Sequence, residues 1–161
     1  MISKPLHAVP SLAHAPSNPS VRVRTGARVL IVDDRGTARS LLEGLARTLE
    51  PGVIVDSFAD PQEALAYMQQ ITPDIIITDY RMPGMDGIEF TRRVRAERRL
   101  ADVPVIIVTV VEDRQIRYQA LESGATDFLT RPIDPQECRA RCLNLLALRR
   151  KLRQQIGRAH V

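Results

Sequence analysis

The stretch that decides the fold is Val29-Leu30-Ile31-Val32-Asp33-Asp34. Four successive branched apolar residues leave no polar face, so this is a strand covered on both sides, as in a parallel sheet. Ile75-Ile76-Ile77 and Val105-Ile106-Ile107-Val108 repeat the pattern, and Val53-Ile54-Val55 and Phe128-Leu129 supply two weaker runs. Between the runs, Leu41, Leu42, Leu45 and Leu49 recur at helical spacing, as do Ala64, Leu65 and Met68, then Phe90 and Val94, then Ile116, Ala120 and Leu121. Gly124 is placed to end the fourth helix. The tetrapeptides Asp60-Pro61-Gln62-Glu63 and Asp134-Pro135-Gln136-Glu137 each offer an Asp cap, a first-turn Pro and a Glu, so both start helices. The pattern predicts an α/β fold: a (βα)5 open parallel sheet with helices on both faces.

The 161 residues accommodate one such domain, expected over 27–148, with appendages. Residues 1–26 carry Pro5, Pro10, Pro16 and Pro19 and no apolar periodicity, which predicts a disordered lead-in. The formal charge of +4 misleads, because the ends are basic and residues 27–138 carry 13 arginines against all 19 acids. His7, His14 and His160 lie outside that acidic middle, as do Lys4 and Lys151, which excludes a histidine triad, a histidine metal site and a P-loop lysine there. Cys138 and Cys142, four apart in a helix, suit packing on one face. No apolar run reaches the ~20 residues a bilayer requires, and no secretory leader is evident, so a cytoplasmic location is expected.

In an open α/β sheet, chemistry gathers at the carboxyl ends of the strands. Here those ends carry Asp33-Asp34, Thr78-Asp79, Thr109 and Thr130-Arg131-Pro132. Each has a bland reading alone: Asp34 capping the first helix, Asp79 starting a turn, Thr109 capping the fourth helix, Arg131 as a surface cation. Together they put three carboxylates, a hydroxyl and a guanidinium on one edge. Crowded carboxylates call for a cation, and an all-oxygen set fits Mg²⁺.

Asp33-Asp34, Asp79 with Met82-Pro83-Gly84-Met85-Asp86-Gly87, Thr109, Phe128 and the basic-Pro pair at 131 and 132 resemble the receiver domain of two-component response regulators. Asp79-Tyr80-Arg81-Met82-Pro83 and Asn144-Leu145-Leu146-Ala147-Leu148-Arg149-Arg150 are similar to receivers fused to HD-GYP cyclic-di-GMP phosphodiesterases. The resemblance implies that Asp79 accepts a phosphoryl group from a histidine kinase or phosphotransfer protein. It implies that Asp34, Asp79 and the Arg81 carbonyl hold Mg²⁺, with Asp33 acting through water. Thr109 and Arg131 would then contact the phosphoryl group, Phe128 would swing inward, and the face of the fourth helix, fifth strand and fifth helix would change. A cis bond before Pro132 is part of the same likeness.

Two positions depart from the family pattern. Arg131 stands where receivers carry lysine, exchanging a compact ammonium for a planar fork. With 21 Arg against 2 Lys in the chain, drift in composition also accounts for it. Val110 stands where a small residue is usual, and a χ1-restricted side chain there is expected to narrow access to the pocket.

Cys142, Leu145, Arg149, Leu152 and Ile156 step by three and four, resembling a short heptad seam interrupted by arginine. The segment 149–161 therefore reads as a helical extension or linker toward an output domain absent from this chain, or as a solvated basic tail. Homodimers through it, or through the face just named, are the assemblies it allows. Its basic residues lack interleaved aromatics, which speaks against nucleic acid. Three functions compete: a phospho-accepting switch without output catalysis, a degenerate receiver acting as a protein adaptor, and an aspartate-nucleophile phosphatase. The last wants an Asp-x-Asp loop and a core lysine, and the chain has neither.

Overall fold

The computed structural model describes residues 26–110 and 112–159. Five strands, β1 (Arg28–Val32), β2 (Ile54–Phe58), β3 (Ile75–Asp79), β4 (Val105–Thr109) and β5 (Asp127–Thr130), alternate with α1 (Gly36–Arg47), α2 (Pro61–Tyr67), α3 (Gly87–Ala96), α4 (Arg114–Glu122) and α5 (Pro135–Ala159). The strands form one parallel sheet in the order β2-β1-β3-β4-β5. The (βα)5 expectation holds. The expected tail lies almost wholly outside the described residues.

The apolar runs are continuous because alternate residues serve opposite faces. Val29, Ile31, Ile75, Ile77, Ile106 and Val108 pack with Leu42 and Ala46 of α1 and with Cys138, Cys142 and Leu146 of α5. Leu30, Val32, Ile76, Val105 and Ile107 face the other way, onto α2, α3 and α4 through Ala64, Met68, Phe90, Val94 and Ala120. Each fully buried aliphatic side chain contributes roughly 1.5–3 kcal/mol. Every residue of β3 and β4 is buried, which fixes the register of the two strands that end in Asp79 and Thr109.

The edge strand β2 runs three residues past the expected Val53-Ile54-Val55, taking in Asp56, Ser57 and Phe58. Apolar pattern missed it because its polar side chains are satisfied by partners on neighbouring elements. Asp56 accepts from Arg28 (2.7 Å) and from the Tyr67 hydroxyl (2.8 Å), and Ser57 donates to Glu43. Both Asp-Pro-Gln-Glu segments start helices: Asp60 accepts from the Gln62 N–H (2.9 Å), and Asp134 from those of Gln136 (2.8 Å) and Glu137 (3.3 Å).

α5 is continuous across residue 148, but Arg149 is not an interruption in an exposed seam. Its side chain is 2% exposed and pairs with Asp102 (3.0 Å) and Asp74 (3.6 Å). The next residue, Arg150, pairs with Glu50 (2.7 Å). Three loops at the amino edge of the sheet thus hold the helix where it leaves the domain. Beyond that point Leu152 and Ile156 are exposed, in line with Leu148 four residues before. Among the described residues, no helix is long and apolar enough to cross a membrane.

Candidate functional site

The carboxyl ends of β1 and β3 lie side by side in the sheet and deliver the acids. One carboxylate oxygen from each of Asp33, Asp34 and Asp79 falls within 4.8 Å of the others. Asp33 is wholly buried and held by the protein at both carboxylate oxygens and its carbonyl. Its Oδ1 accepts the Arg35 N–H (3.0 Å), its Oδ2 accepts from Arg131 Nη2 (2.8 Å), and its carbonyl accepts from Arg39 Nη1 (2.8 Å). Asp34 is exposed, so its carboxylate is available to a ligand.

Asp79 sits at the floor, 5% exposed. Its Oδ1 accepts the Tyr80 N–H (2.9 Å) and lies 3.5 Å from Arg131, while its Oδ2 lies 4.0 Å from Arg35. Burial pushes the Asp79 carboxyl above the ordinary range, the charge of Asp33 pushes it the same way, and Arg131, the Tyr80 N–H and Arg35 offset this only in part. The site is short of positive charge.

Three of the four bland readings, those of Asp34, Thr109 and Arg131, fail. α1 is entered through Arg35 with no side-chain cap, so Asp34 does not cap it, and Asp113 rather than Thr109 caps α4. Arg131 is a buried cation, with its side chain 11% exposed. Thr109 is 4% exposed and accepts the Arg131 N–H on its carbonyl (3.0 Å). The Arg131–Pro132 peptide bond is cis.

Asp34, Asp79, Thr109, Arg131, Arg35, Tyr80, Arg81 and Val110 line one cleft of about 220 Å³. Val110 is 61% exposed and fronts this cleft rather than plugging it. Phe128 is not in it. It is half-buried on β5, opposite Ile107 of β4, and lines a separate groove with Arg114, Arg117, Tyr118 and Leu121. Sequence reasoning missed Arg35 and Arg39, which touch the acid cluster. The signal was a pair of bases one and five residues after an acid pair, placing Arg35 on the turn that leaves β1 and Arg39 on the first turn of α1.

The matching family model describes the response regulator receiver domain and covers residues 29–143. The chain belongs to that family. A similar relative is the cyclic di-GMP phosphodiesterase response regulator RpfG of Xanthomonas campestris pv. campestris, 45% identical over 132 residues, which are 82% of this chain and 35% of that protein. The response regulator PleD of Caulobacter vibrioides is 42% identical over 108 residues, 67% of this chain and 23% of PleD. The chain thus spans about a third or less of these relatives. Among solved receivers, the chemotaxis protein CheY4 of Vibrio cholerae superposes with a TM-score of 0.69 at 30% identity, covering 74% of this chain and 98% of that one. The receiver of a sensor histidine kinase from Pseudomonas aeruginosa, crystallised with magnesium in its active-site cleft, gives 0.69 at 28%, covering 76% and 98%.

The donor set of this receiver fits such an ion. It is all oxygen and carboxylate-rich, with one exposed acid beside a floor acid whose charged form is disfavoured as it stands. No soft nitrogen or sulfur donor is in it, since the free cysteines lie under α5.

Proposed function

We propose that this receiver is a phospho-accepting switch, with Asp79 taking the phosphoryl group from a histidine kinase or phosphotransfer protein. The observation that carries the reading is the convergence of Asp33, Asp34 and Asp79 within 4.8 Å, with Asp79 at the floor of an open cleft. Asp34, Asp79 and the Arg81 carbonyl would hold Mg²⁺, with Asp33 acting through water. Bound there, the ion neutralises charge on the phosphoryl oxygens, which is the main demand of phosphoryl transfer. An Asp79 oxygen attacks phosphorus, an O–P bond forms as the donor's N–P bond breaks, and the electron pair stays on the imidazole nitrogen, which takes a proton. Thr109 then donates its hydroxyl to a phosphoryl oxygen, a charge-assisted bond of about 1.5–3 kcal/mol. That suffices to shift a two-state equilibrium by one to two decades. The readout is the face of α4, β5 and α5, where Phe128 moves from its half-buried place toward the space behind Thr109.

The likeness to RpfG supports a finer reading, in which the domain controls cyclic di-GMP turnover, with 149–161 leading to the output. We place it in the cytoplasm, where such phosphodonors work. The degenerate-adaptor alternative rests on Arg131 alone, and Arg131 keeps its charge at the site.

The deciding experiment is Mg²⁺-dependent uptake of beryllofluoride, a phosphoryl mimic, by wild type and Asp79→Asn. Uptake by wild type that is lost in the variant supports the switch. No uptake by wild type would replace it with the adaptor.

A further inference from the structure

The two arginines beside Asp79 are not equivalent. Arg131 approaches Oδ1, but its Nη2 is spent on Asp33 at 2.8 Å, and its side chain is 11% exposed with an Nε that has no hydrogen-bond partner. It is a largely buried cation on the wall of the cleft, already paired with Asp33. Arg35 approaches Oδ2 at 4.0 Å with a side chain that is 59% exposed. Its root is fixed: the N–H donates to Asp33 Oδ1 (3.0 Å) and the carbonyl accepts the Arg39 N–H (2.9 Å). Its head is exposed where it lines the cleft, and it takes no part in capping α1.

A contact of 4.0 Å on a mostly exposed arginine is worth little in the resting site. Its value changes when charge is added one bond beyond Oδ2, because a phosphoryl group there brings anionic oxygens into range of a guanidinium fork suited to them. An interaction that is weak before transfer and strong after it is the kind that favours the phosphorylated state.

We propose that Arg35 is a phosphoryl-anchoring cation of this receiver, adding on the Oδ2 side a contact that Arg131, committed to Asp33 on the Oδ1 side, does not supply. Arg131 balances the charge of the buried acids, and Arg35 meets the ligand. The division accounts for a receiver whose core has no lysine: one guanidinium pairs with the buried acid and a second, rooted on the β1–α1 turn, reaches Asp79 from the exposed side.

This inference rests on the phospho-accepting reading, and Asp79→Asn separates the two. The test measures Mg²⁺ affinity alone, then beryllofluoride affinity at saturating Mg²⁺, for wild type, Arg35→Gln and Arg35→Lys. In Arg35→Gln we expect beryllofluoride binding weakened about tenfold, the worth of one exposed charge-assisted contact. Mg²⁺ affinity should be unchanged or slightly higher, and the salt dependence of beryllofluoride binding flatter. Arg35→Lys should recover part of the loss. Equal beryllofluoride affinity in wild type and Arg35→Gln would overturn the inference while leaving the switch intact. So would a parallel loss of Mg²⁺ and beryllofluoride binding, which marks a structural role. If wild type takes up beryllofluoride no better than Asp79→Asn, the switch and the inference fail together.

Discussion

Arg131 Nη2 and Asp33 Oδ2 meet at 2.8 Å although β5 and β1 are separated in the sheet by β3 and β4. The contact spans the carboxyl edge of the sheet beside Asp79, and Asp33 is wholly buried. Removing the cation leaves a buried, uncompensated carboxylate, which typically costs about 3–5 kcal/mol. Arg131→Met should therefore lose roughly that much stability to urea unfolding in EDTA. Because a divalent ion supplies the missing charge, Mg²⁺ should restore more stability to Arg131→Met than to wild type and bind it more tightly. A loss indifferent to Mg²⁺ would mean that Arg131 acts only by packing.

Asp79 makes an opposite prediction about charge. Its folded-state carboxyl lies above the ordinary value of 3.8, chiefly through burial and then through Asp33. The folded state therefore binds its proton more tightly than the unfolded chain does. Stability from this group is present below the ordinary value and is lost as pH rises through the raised folded-state value. Asp79→Asn, which cannot ionise, should be more stable than wild type at neutral pH without metal. The gap should close on acidification below the ordinary carboxyl range, as read by urea unfolding of both proteins across pH in EDTA.

The strands that carry the site residues were legible in the sequence because β1, β3 and β4 are central and buried on both faces, so burial itself writes an unbroken apolar run. β2 was read short because an edge strand accommodates Asp56 and Ser57, whose partners Arg28, Tyr67 and Glu43 lie on other elements. The acid cluster was legible from strand-end positions. Arg35 was not, because a base on a turn reads as solvated unless the facing strand is known to end in Asp79. Arg149 was misplaced for a related reason: helical spacing gives the face a residue occupies, but not that Asp74 and Asp102 wait beneath it.

Arg149 also yields an asymmetry that a simple count of salt bridges would miss. The arginine side chain is 2% exposed, while its partners Asp102 and Asp74 are 43% and 25% exposed. Arg149→Met removes the buried charge and leaves acids that water can reach, at a cost of about 1 kcal/mol. The double variant Asp74→Asn/Asp102→Asn keeps the buried charge and removes its compensation, at about 3 kcal/mol or more. Part of that loss comes from Asp74 Oδ2, which also accepts the Arg28 N–H at 2.8 Å. Chemical unfolding of the two variants should rank them in that order, and the reverse ranking would show that the arginine's packing outweighs its charge.

Val110 concerns the lifetime of the phosphorylated state. With 61% exposure it contributes little to the core, so Val110→Ala should change stability by no more than about 0.5 kcal/mol. It nonetheless lines the cleft that holds Asp79, where, on the proposed function, it would narrow the path of water to an acyl phosphate. The variant should lose its phosphoryl group about threefold to tenfold faster and load faster from acetyl phosphate, a barrier change of about 1 kcal/mol. Radiolabel decay in the two proteins checks this, and equal lifetimes would remove Val110 from any gating role.

Gly87 and Gly44 are expected to respond to alanine with opposite signs. Gly87 opens α3, and its N–H donates to the Tyr80 carbonyl at 2.7 Å. A Cβ there would fall 2.4 Å from the Asp79 carbonyl oxygen and 3.1 Å from the Tyr80 Cα, both backbone, so neither can swing aside. Gly87→Ala must push α3 away from the end of β3, at about 1–3 kcal/mol, and it moves the backbone that positions Asp79. Mg²⁺ affinity should fall with stability. Gly44 lies inside α1 on the exposed side, and a Cβ there meets nothing within 4 Å. Gly44→Ala should therefore raise stability by about 0.5–1 kcal/mol through helix propensity and a less flexible unfolded chain, with Mg²⁺ affinity unchanged. Thermal unfolding and Mg²⁺ titration of the pair test whether the approach of residue 87 to the Asp79 backbone holds the site in place. Intact Mg²⁺ binding in Gly87→Ala would show that the site does not depend on that approach.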